Sequence, residues 1–308
     1  MARGDKEKDS SGEPALVFRI LKGTFISLAT AAVGCAALYG ISVLHENMRV
    51  APTYQMSAES LRLVKGPAWM TPSILAELDV GLLDPDFPQR FSLLDADVAF
   101  RIAAAYEKCV WVDRVERIEK HDPRVDPRRP PLEVYLKFRR PLAFIQTRDG
   151  FCLVDDKAVR LPGVYREPKL GALKLLVIAG VTSGPPAIGH AWPDDAVVAG
   201  VRVADAVDTK REAFGLTAVD VANFGGRRDP RDTEIALFTA NETRIKWGKA
   251  PSPQADLLQE KSPDEKVAYL DFVYRRMNGQ VDGVLSYIDI PNEAIRRRAA
   301  ESVTRVRS

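Results

Sequence analysis

Two pairs of adjacent aspartates are the residues in this chain whose types and spacing most suggest catalysis. Asp155-Asp156 and Asp194-Asp195 offer carboxylates of the kind that cell-wall hydrolases use as acid and base. Each pair lies where a turn or a helix start is predicted, and short acidic side chains are favoured there for local hydrogen bonding. The chain contains no Gly-x-Ser-x-Gly, Ser-x-x-Lys, His-Glu-x-x-His or Gly-rich phosphate loop. We therefore predict that the protein is not an enzyme and has no small-molecule substrate.

Histidines, cysteines and net charge indicate neither a metal nor a nucleic acid. The chain has three histidines, His45, His121 and His190, which are far apart in sequence and lack metal-ligand spacing. No metal and no cofactor is therefore predicted. Cys109 and Cys152 could form one bridge in an oxidising compartment, but two free, packed thiols are the favoured interpretation. The net charge of +2, from 44 basic and 42 acidic side chains, gives no electrostatic argument for nucleic acid.

One apolar run near the N-terminus indicates on which side of a membrane the rest of the chain lies. Thr24 to Leu44 contains no Asp, Glu, Lys or Arg, and a helix of about 20 residues spans the roughly 30 Å of a bilayer's hydrocarbon core. Five basic residues precede the run, namely Arg3, Lys6, Lys8, Arg19 and Lys22. Arg49 is the one basic residue that follows it closely. By the positive-inside rule, residues 23–45 are predicted to be a transmembrane helix with a cytoplasmic N-terminus and exported C-terminal domains, a type II arrangement.

Two other interpretations of this run stay open. A cleaved signal peptide has an apolar core of about 7–15 residues and then a small-residue cleavage site, which Ala31-Ala32 or Gly34-Cys35 could imitate. The apolar run continues beyond those residues to Leu44, which favours an uncleaved anchor. A buried helix of a soluble protein is the third interpretation, although no second helix of comparable apolarity is predicted to pack around it.

The elements after the anchor predict an α+β fold with two domains. Residues 1–22 are predicted to be a disordered cytoplasmic tail. In residues 55–139 the order is strand, helix, helix, strand, strand, with Thr71 capping the first helix and a charged hairpin before Leu132. Residues 140–292 are mainly short strands with two helices, predicted after Asp195 and after the N-cap Ser262. A basic tail, residues 293–308, is predicted to be helical or frayed.

Several local signatures, in order, resemble the FtsQ/DivIB family of bacterial cell division proteins. They are Trp111-Val112, Leu132 to Ala143 with its Arg-Pro step, Leu153 to Pro162, Trp247-Gly248 and Tyr287 to Ile290. The family layout is a cytoplasmic tail, one anchor, a POTRA module and a β domain. The resemblance therefore implies a single transmembrane helix, a POTRA-like domain over 55–139 and a mainly antiparallel β domain with flanking helices over 140–292. Pro291 departs from the family pattern, because it truncates the edge of the last predicted strand.

The resemblance also implies a function without catalysis. Such proteins lie in the cell inner membrane at midcell, at the septum, and hold divisome partners similar to FtsB and FtsL. The expected contact is β-augmentation, in which a partner strand pairs with the exposed edge of the final strand. The predicted contact residues on that strand and its supporting helix are Leu285, Ser286, Tyr287, Ile288, Asp289, Tyr269, Phe272 and Arg276. Trp111 and Val112 are the candidates for a second partner site, although core packing is the favoured interpretation of Trp111.

A second function stays open at this point. A POTRA-containing, membrane-anchored scaffold for envelope assembly or transport outside division would show the same domain order. Outer-membrane assembly proteins also carry POTRA modules, but they end in a barrel of many strands of about ten residues. The chain after Pro141 is too short for such a barrel, and its predicted helices interrupt the strands.

Overall fold

The computed structural model describes residues 13–58, 61–63, 66–249, 260–291 and 293–297. Its helices and strands give the predicted mixed α+β class. In chain order they are α1 (Glu13–Arg49), β1 (Gln55–Ser57), β2 (Arg62–Leu63), α2 (Pro72–Ala76), α3 (Val80–Leu83), β3 (Arg90–Ser92), α4 (Val98–Glu107), β4 (Val112–Lys120), β5 (Leu132–Phe138), β6 (Ala143–Thr147), β7 (Gly150–Val154), β8 (Leu176–Ala179), α5 (Asp195–Val207), β9 (Leu216–Asp220), β10 (Ile235–Thr239), β11 (Arg244–Gly248), α6 (Pro263–Arg276), β12 (Leu285–Asp289) and β13 (Ala294–Arg297).

Two compact units divide the chain. The first consists of Met1–Arg62, Asp86–Ile102 and Ile118–Glu133, and the second of Leu63–Pro85, Ala103–Arg117 and Val134–Ser308. These segments alternate along the sequence, because strands that are distant in sequence pair with one another. The predicted boundary between domains near residue 140 stays a prediction.

Helix α1 is longer than the predicted span. It has 37 residues, or about 55 Å at 1.5 Å per residue. Within it, Ser27–Arg49 has a mean hydropathy of 1.7 and no buried side chains, and it is the one described helix that is long and apolar enough to cross a membrane. Residues 13–22, predicted to be disordered, are the start of this helix. The predicted tail over residues 1–12 lies outside the described residues.

In the first unit, strands β1 and β3 pair antiparallel around an aromatic core. Met56 is opposite Phe91. Phe91 packs edge-on against Phe87, with 5.5 Å between the ring centroids. The preceding Tyr54 is only 3% exposed and receives the guanidinium of Arg124 at 4.9 Å from its ring centroid. Neither strand was predicted, since each has only three residues.

Helix starts follow local capping chemistry, as predicted. Thr71 accepts a hydrogen bond from the Ile74 amide at the start of α2. Ser262 forms a capping box with Glu265 at the start of α6. Asp79 caps α3, a short helix in a region predicted to be a loop.

The three-stranded sheet has the order β2-β5-β4, so the predicted strand–helix–helix–strand–strand order is present with α3 and β3 added to it.

The larger sheet has eight strands in the order β13-β12-β11-β10-β9-β8-β6-β7. Three of its neighbouring pairs are parallel: β6 with β8, β8 with β9, and β11 with β12. The other four neighbouring pairs are antiparallel, so the sheet is of mixed orientation. The reason lies in the connections, because α5 links β8 to β9 and α6 links β11 to β12, and such crossovers return the chain in the same direction.

The core of the second unit lies between this sheet and helices α5 and α6. Val197 and Val201 of α5, and Leu270 of α6, are buried in one cluster with Ile245 and Trp247 of β11. Helix α5 approaches β8 closely at Gly200, where an added Cβ would lie 2.9 Å from Ile178 Cγ2. Both helices are thereby fixed against one face of the sheet.

Candidate partner-binding surface

Strand β12, which was predicted to be the exposed edge, has a neighbour on each side. It pairs parallel with β11 and antiparallel with β13. After Ile290 the chain reverses: Glu293 N–H donates to Ile290 O, and Pro291 occupies the second position of this turn, which needs no N–H. The predicted open edge at β12 is therefore wrong. So is a helical or frayed tail over residues 294–297, while residues 298–308 lie outside the described part of the chain.

The side chains of the five predicted β12 contact residues are mostly covered. Leu285 and Ile288 are fully buried and Asp289 is 5% exposed, whereas Ser286 and Tyr287 are half-buried. Ile288 faces the helices beside Ile245, its partner on β11. Direct pairing of a partner strand with β12 would require β13 to leave, so these residues support the edge from behind.

Tyr287 belongs to a polar network on the opposite face of the sheet from the helices. Its hydroxyl donates to Asp289 Oδ2 at 2.5 Å, and its ring centroid lies 5.4 Å from Lys246 Nζ. Burial and the hydrogen bond with Asp289 raise the pKa of Tyr287. Lys246 and Arg244 both pair with Asp232, at 2.9 and 2.6 Å. Burial alone would raise the pKa of Asp232, but these two hydrogen-bonded cations outweigh it and hold that pKa well below its usual range.

Helix α6 places two predicted contact residues beside the β12–β13 turn. The rings of Tyr269 and Phe272 lie 6.3 Å apart, and Phe272 is 55% exposed. Lys261 Nζ lies 5.6 Å from the Tyr269 ring centroid and forms an ion pair with Glu293 of the turn. Burial raises the pKa of Tyr269, and the nearby Glu293 carboxylate raises it further. Arg276, the third predicted residue of this helix, is exposed at its last turn.

We call strand β13, Glu293, Lys261, Tyr269 and Phe272 the terminal edge. The Ile290 N–H donates to Lys246 O of β11, so the backbone groups of Ile288 and Ile290 face β11 and those of Tyr287 and Asp289 face β13. Tyr287–Arg296 and Asp289–Ala294 are therefore the hydrogen-bonded pairs of the β12–β13 ladder. Ile288 and Ile295 form a non-hydrogen-bonded pair, so the N–H of Ile295 points away from β12. A further strand could accept a hydrogen bond from that N–H.

Trp111 and Val112, the candidates for a second partner site, are core residues. They are 2% and 4% exposed, so neither side chain is available to a partner. Trp111 Nε1 donates to Glu77 Oε2 at 2.8 Å, and its ring centroid lies 6.1 Å from that of Trp69. The packing interpretation of the sequence analysis is the correct one for these two side chains.

The paired aspartates have local structural partners. Asp155 is 1% exposed; its Oδ1 accepts the Lys157 and Val159 amides, and its Oδ2 accepts Arg139 at 3.0 Å. Asp194 accepts the Ala196 amide as the N-cap of α5, as the sequence predicted.

Cys109 and Cys152 are free and buried, and burial raises the pKa of the Cys109 thiol. The absence of catalysis stays a prediction.

One cluster of ligand-type side chains in the first unit was not predicted from the sequence. Glu119, His121 and Glu133 each place one ligand atom within 4.8 Å of the others. The spacing of Glu119 and His121, two positions apart, is a signal that both lie on one face of a strand. Glu133 joins them through the pairing of β4 with β5, and the sequence does not reveal that register.

No family model and no curated protein sequence matches this chain. The structure itself establishes a mixed α+β protein with sheets of mixed strand orientation. It also establishes one N-terminal apolar helix, Ser27–Arg49, whose length and composition fit a membrane anchor and a signal sequence alike.

Proposed function

We propose that this chain is a single-pass inner-membrane scaffold of the bacterial division complex, related to the FtsQ/DivIB family. In this proposal it holds FtsB-like and FtsL-like partners at the terminal edge and performs no catalysis. The observation that carries the proposal is the position of β13, which ends the eight-stranded sheet with no strand on its outer side among the described residues. Such an edge is a template for a partner's strand.

The N-terminal helix supports an anchored scaffold. Its apolar part, Ser27–Arg49, has 23 residues, or about 34 Å of helix, slightly more than a bilayer's hydrocarbon core. The excess of basic residues before it favours a cytoplasmic N-terminus and an exported sheet. Strand β1 begins at Gln55, six residues after α1 ends at Arg49, so a short connection would keep the exported part near the membrane.

The three-stranded sheet supports a POTRA-like module. Its order, β2-β5-β4, puts the last strand in the middle, and three helices lie between β2 and β4 along the chain. The strand–helix–helix–strand–strand order is the one predicted for residues 55–139, where the family resemblance implies a POTRA-like domain. The likeness is one of topology alone, so a role in division remains part of the proposal.

The terminal edge combines backbone groups with an aromatic pair. Backbone hydrogen bonds to β13 would give a partner strand affinity, and the exposed Phe272 beside Tyr269 would select its side chains. Strand β13 contains Arg296 and Arg297, so its composition favours a partner strand that carries acidic residues.

A proline at Ile295 tests the proposal directly. Because the Ile295 N–H faces outward, Ile295→Pro removes a donor that a partner would need and leaves the hydrogen-bonded pairs with β12 intact. Ile295→Ala is the matched control, since it removes the same side chain and keeps the donor. We expect the full chain with Ile295→Pro to lose at least about tenfold affinity for a co-expressed FtsB-like partner, with Ile295→Ala much nearer the unmodified chain.

Localisation tests the cellular part of the proposal. An N-terminal fluorescent fusion should form a midcell band before constriction, and cells that carry only the Ile295→Pro chain should fail to divide. Uniform membrane fluorescence together with normal division after deletion would refute a division role. That outcome would favour the alternative, an anchored POTRA-containing scaffold for envelope assembly or transport.

A further inference from the structure

A histidine and two glutamates meet at the base of the hairpin between β4 and β5. Glu119 lies near the end of β4, His121 follows that strand, and Glu133 lies near the start of β5. The His121 amide donates to Pro131 O at 2.8 Å, which closes the hairpin at this level. Each of the three side chains is half-buried. Strand positions and a closed hairpin hold ligands more precisely than a loose loop does.

The distances within this cluster match those around a small divalent cation. His121 Nε2 lies 3.1 Å from Glu133 Oε2 and 3.6 Å from Glu119 Oε2. Tetrahedral Zn²⁺, with bonds of about 2.0–2.1 Å to nitrogen and oxygen, separates its ligands by about 3.3 Å. Imidazole nitrogen with two carboxylates is a ligand set that transition-metal cations accept.

A cationic nitrogen already sits against both carboxylates. Arg129 Nη2 lies 3.1 Å from Glu119 Oε2 and 3.0 Å from Glu133 Oε2. It therefore bridges the two oxygens between which a metal ion would bind, and it balances their charge. The Arg129 side chain is 44% exposed, and exposed ion pairs contribute little to stability, so a divalent cation can displace it at low cost.

We propose that Glu119, His121 and Glu133 bind one divalent transition-metal cation of the Zn²⁺ type, with Arg129 as the built-in cation that the metal displaces. The site belongs to the first unit and is independent of the terminal edge. Binding would clamp the end of β4 to the start of β5, and it would release Arg129 to solvent.

Titration of the full chain with Zn²⁺ tests this site. The chelator-treated protein in detergent micelles should bind about one equivalent by isothermal titration calorimetry, and His121→Ala should weaken binding at least about tenfold. His190→Ala is the matched control, because His190 is exposed and its ring contacts only the Ile188 carbonyl among its described hydrogen bonds. Equal affinity in the unmodified chain and His121→Ala would overturn the proposal.

A second variant separates a lost site from a misfolded one. Arg129→Gln removes the competing cation and keeps all three ligands, so it should tighten Zn²⁺ binding at least about threefold, a gain that misfolding cannot produce. Unchanged or weaker binding in this variant would refute the displacement. A hundredfold excess of Mg²⁺ should leave Zn²⁺ binding unaffected, since Mg²⁺ prefers oxygen ligands; effective competition would refute the role of the imidazole.

Discussion

Lys266 of α6 is a buried cation that pairs with Glu260. Replacing Lys266 and replacing Glu260 should lower the stability of the fold by different amounts. The Lys266 side chain is 2% exposed, and its Nζ lies 2.6 Å from Glu260 Oε1 and 3.0 Å from Lys249 O. The ammonium also lies 5.2 Å from the ring centroid of Trp247 in β11. This contact fixes α6 against the sheet behind the terminal edge, so its energy bears on the proposed partner site.

Glu260→Gln should lower the free energy of unfolding by about 2–3 kcal/mol. The amide oxygen still accepts a hydrogen bond, but a buried ammonium is left without its counter-charge, the costly way to break such a pair. Lys266→Met should lower it by only about 1 kcal/mol, chiefly the lost cation–π contact, because the remaining carboxylate is 18% exposed and can be hydrated. In Lys266→Met, adding Glu260→Gln should cost almost nothing further.

Urea unfolding of the four full-length chains in detergent micelles, followed by tryptophan fluorescence, measures this double-mutant cycle. The expected coupling free energy between the two positions is about 2 kcal/mol. Additive costs would refute the reasoning, as would a larger loss from Lys266→Met than from Glu260→Gln. Either result would mean that the ammonium contributes through packing alone.

Three further predictions use the same unfolding assay. Burial lowers the pKa of Lys266 in the folded chain below its unfolded value of 10.5. Between the folded and unfolded pKa values the unfolded chain binds more protons, so the free energy of unfolding relative to Lys266→Met should rise with pH. A fall with pH would contradict the assignment. Gly180 has φ +82° and a backbone nitrogen 2.5 Å from an added Cβ, so Gly180→Ala should cost about 3 kcal/mol, whereas Gly184→Ala, with open space, should cost under about 1. Leu270 is buried, so Leu270→Ala should lower the free energy of unfolding by about 2–5 kcal/mol. Phe272 is exposed, so Phe272→Ser should lower it by under about 1 kcal/mol, although it should weaken binding of the proposed partner.

Local chemistry made some features of this fold predictable from sequence. The caps at Thr71, Asp194 and Ser262 depend on contacts within three residues, and all three are present. The apolar run ending at Leu44 was visible for the same reason, since membrane-spanning length is a property of consecutive residues. These features place elements along the chain without arranging them in a sheet.

The pairing of strands and its register were not predictable in the same way. The basic composition after Pro291 suggested a frayed tail, yet Ile295 lies opposite Ile288, because the turn at Pro291 returns the chain to the sheet. The partner edge was consequently placed one strand too early. Likewise, Glu119 and Glu133 become neighbours only through the hairpin register, so histidine spacing gave no hint of a cation site.

The order of strands in the large sheet has a consequence for how this protein is made. From β8 to β13, each strand's new neighbour is the next strand in the sequence, so the sheet grows in one direction as the chain continues. On the proposed topology the chain is exported N-terminus first and could therefore fold progressively, with each arriving strand covering the edge left by its predecessor. Among the described strands β13 is the last to arrive, and a partner's strand would be the next addition by the same chemistry. On the proposed function, assembly with a partner continues the folding of the protein itself.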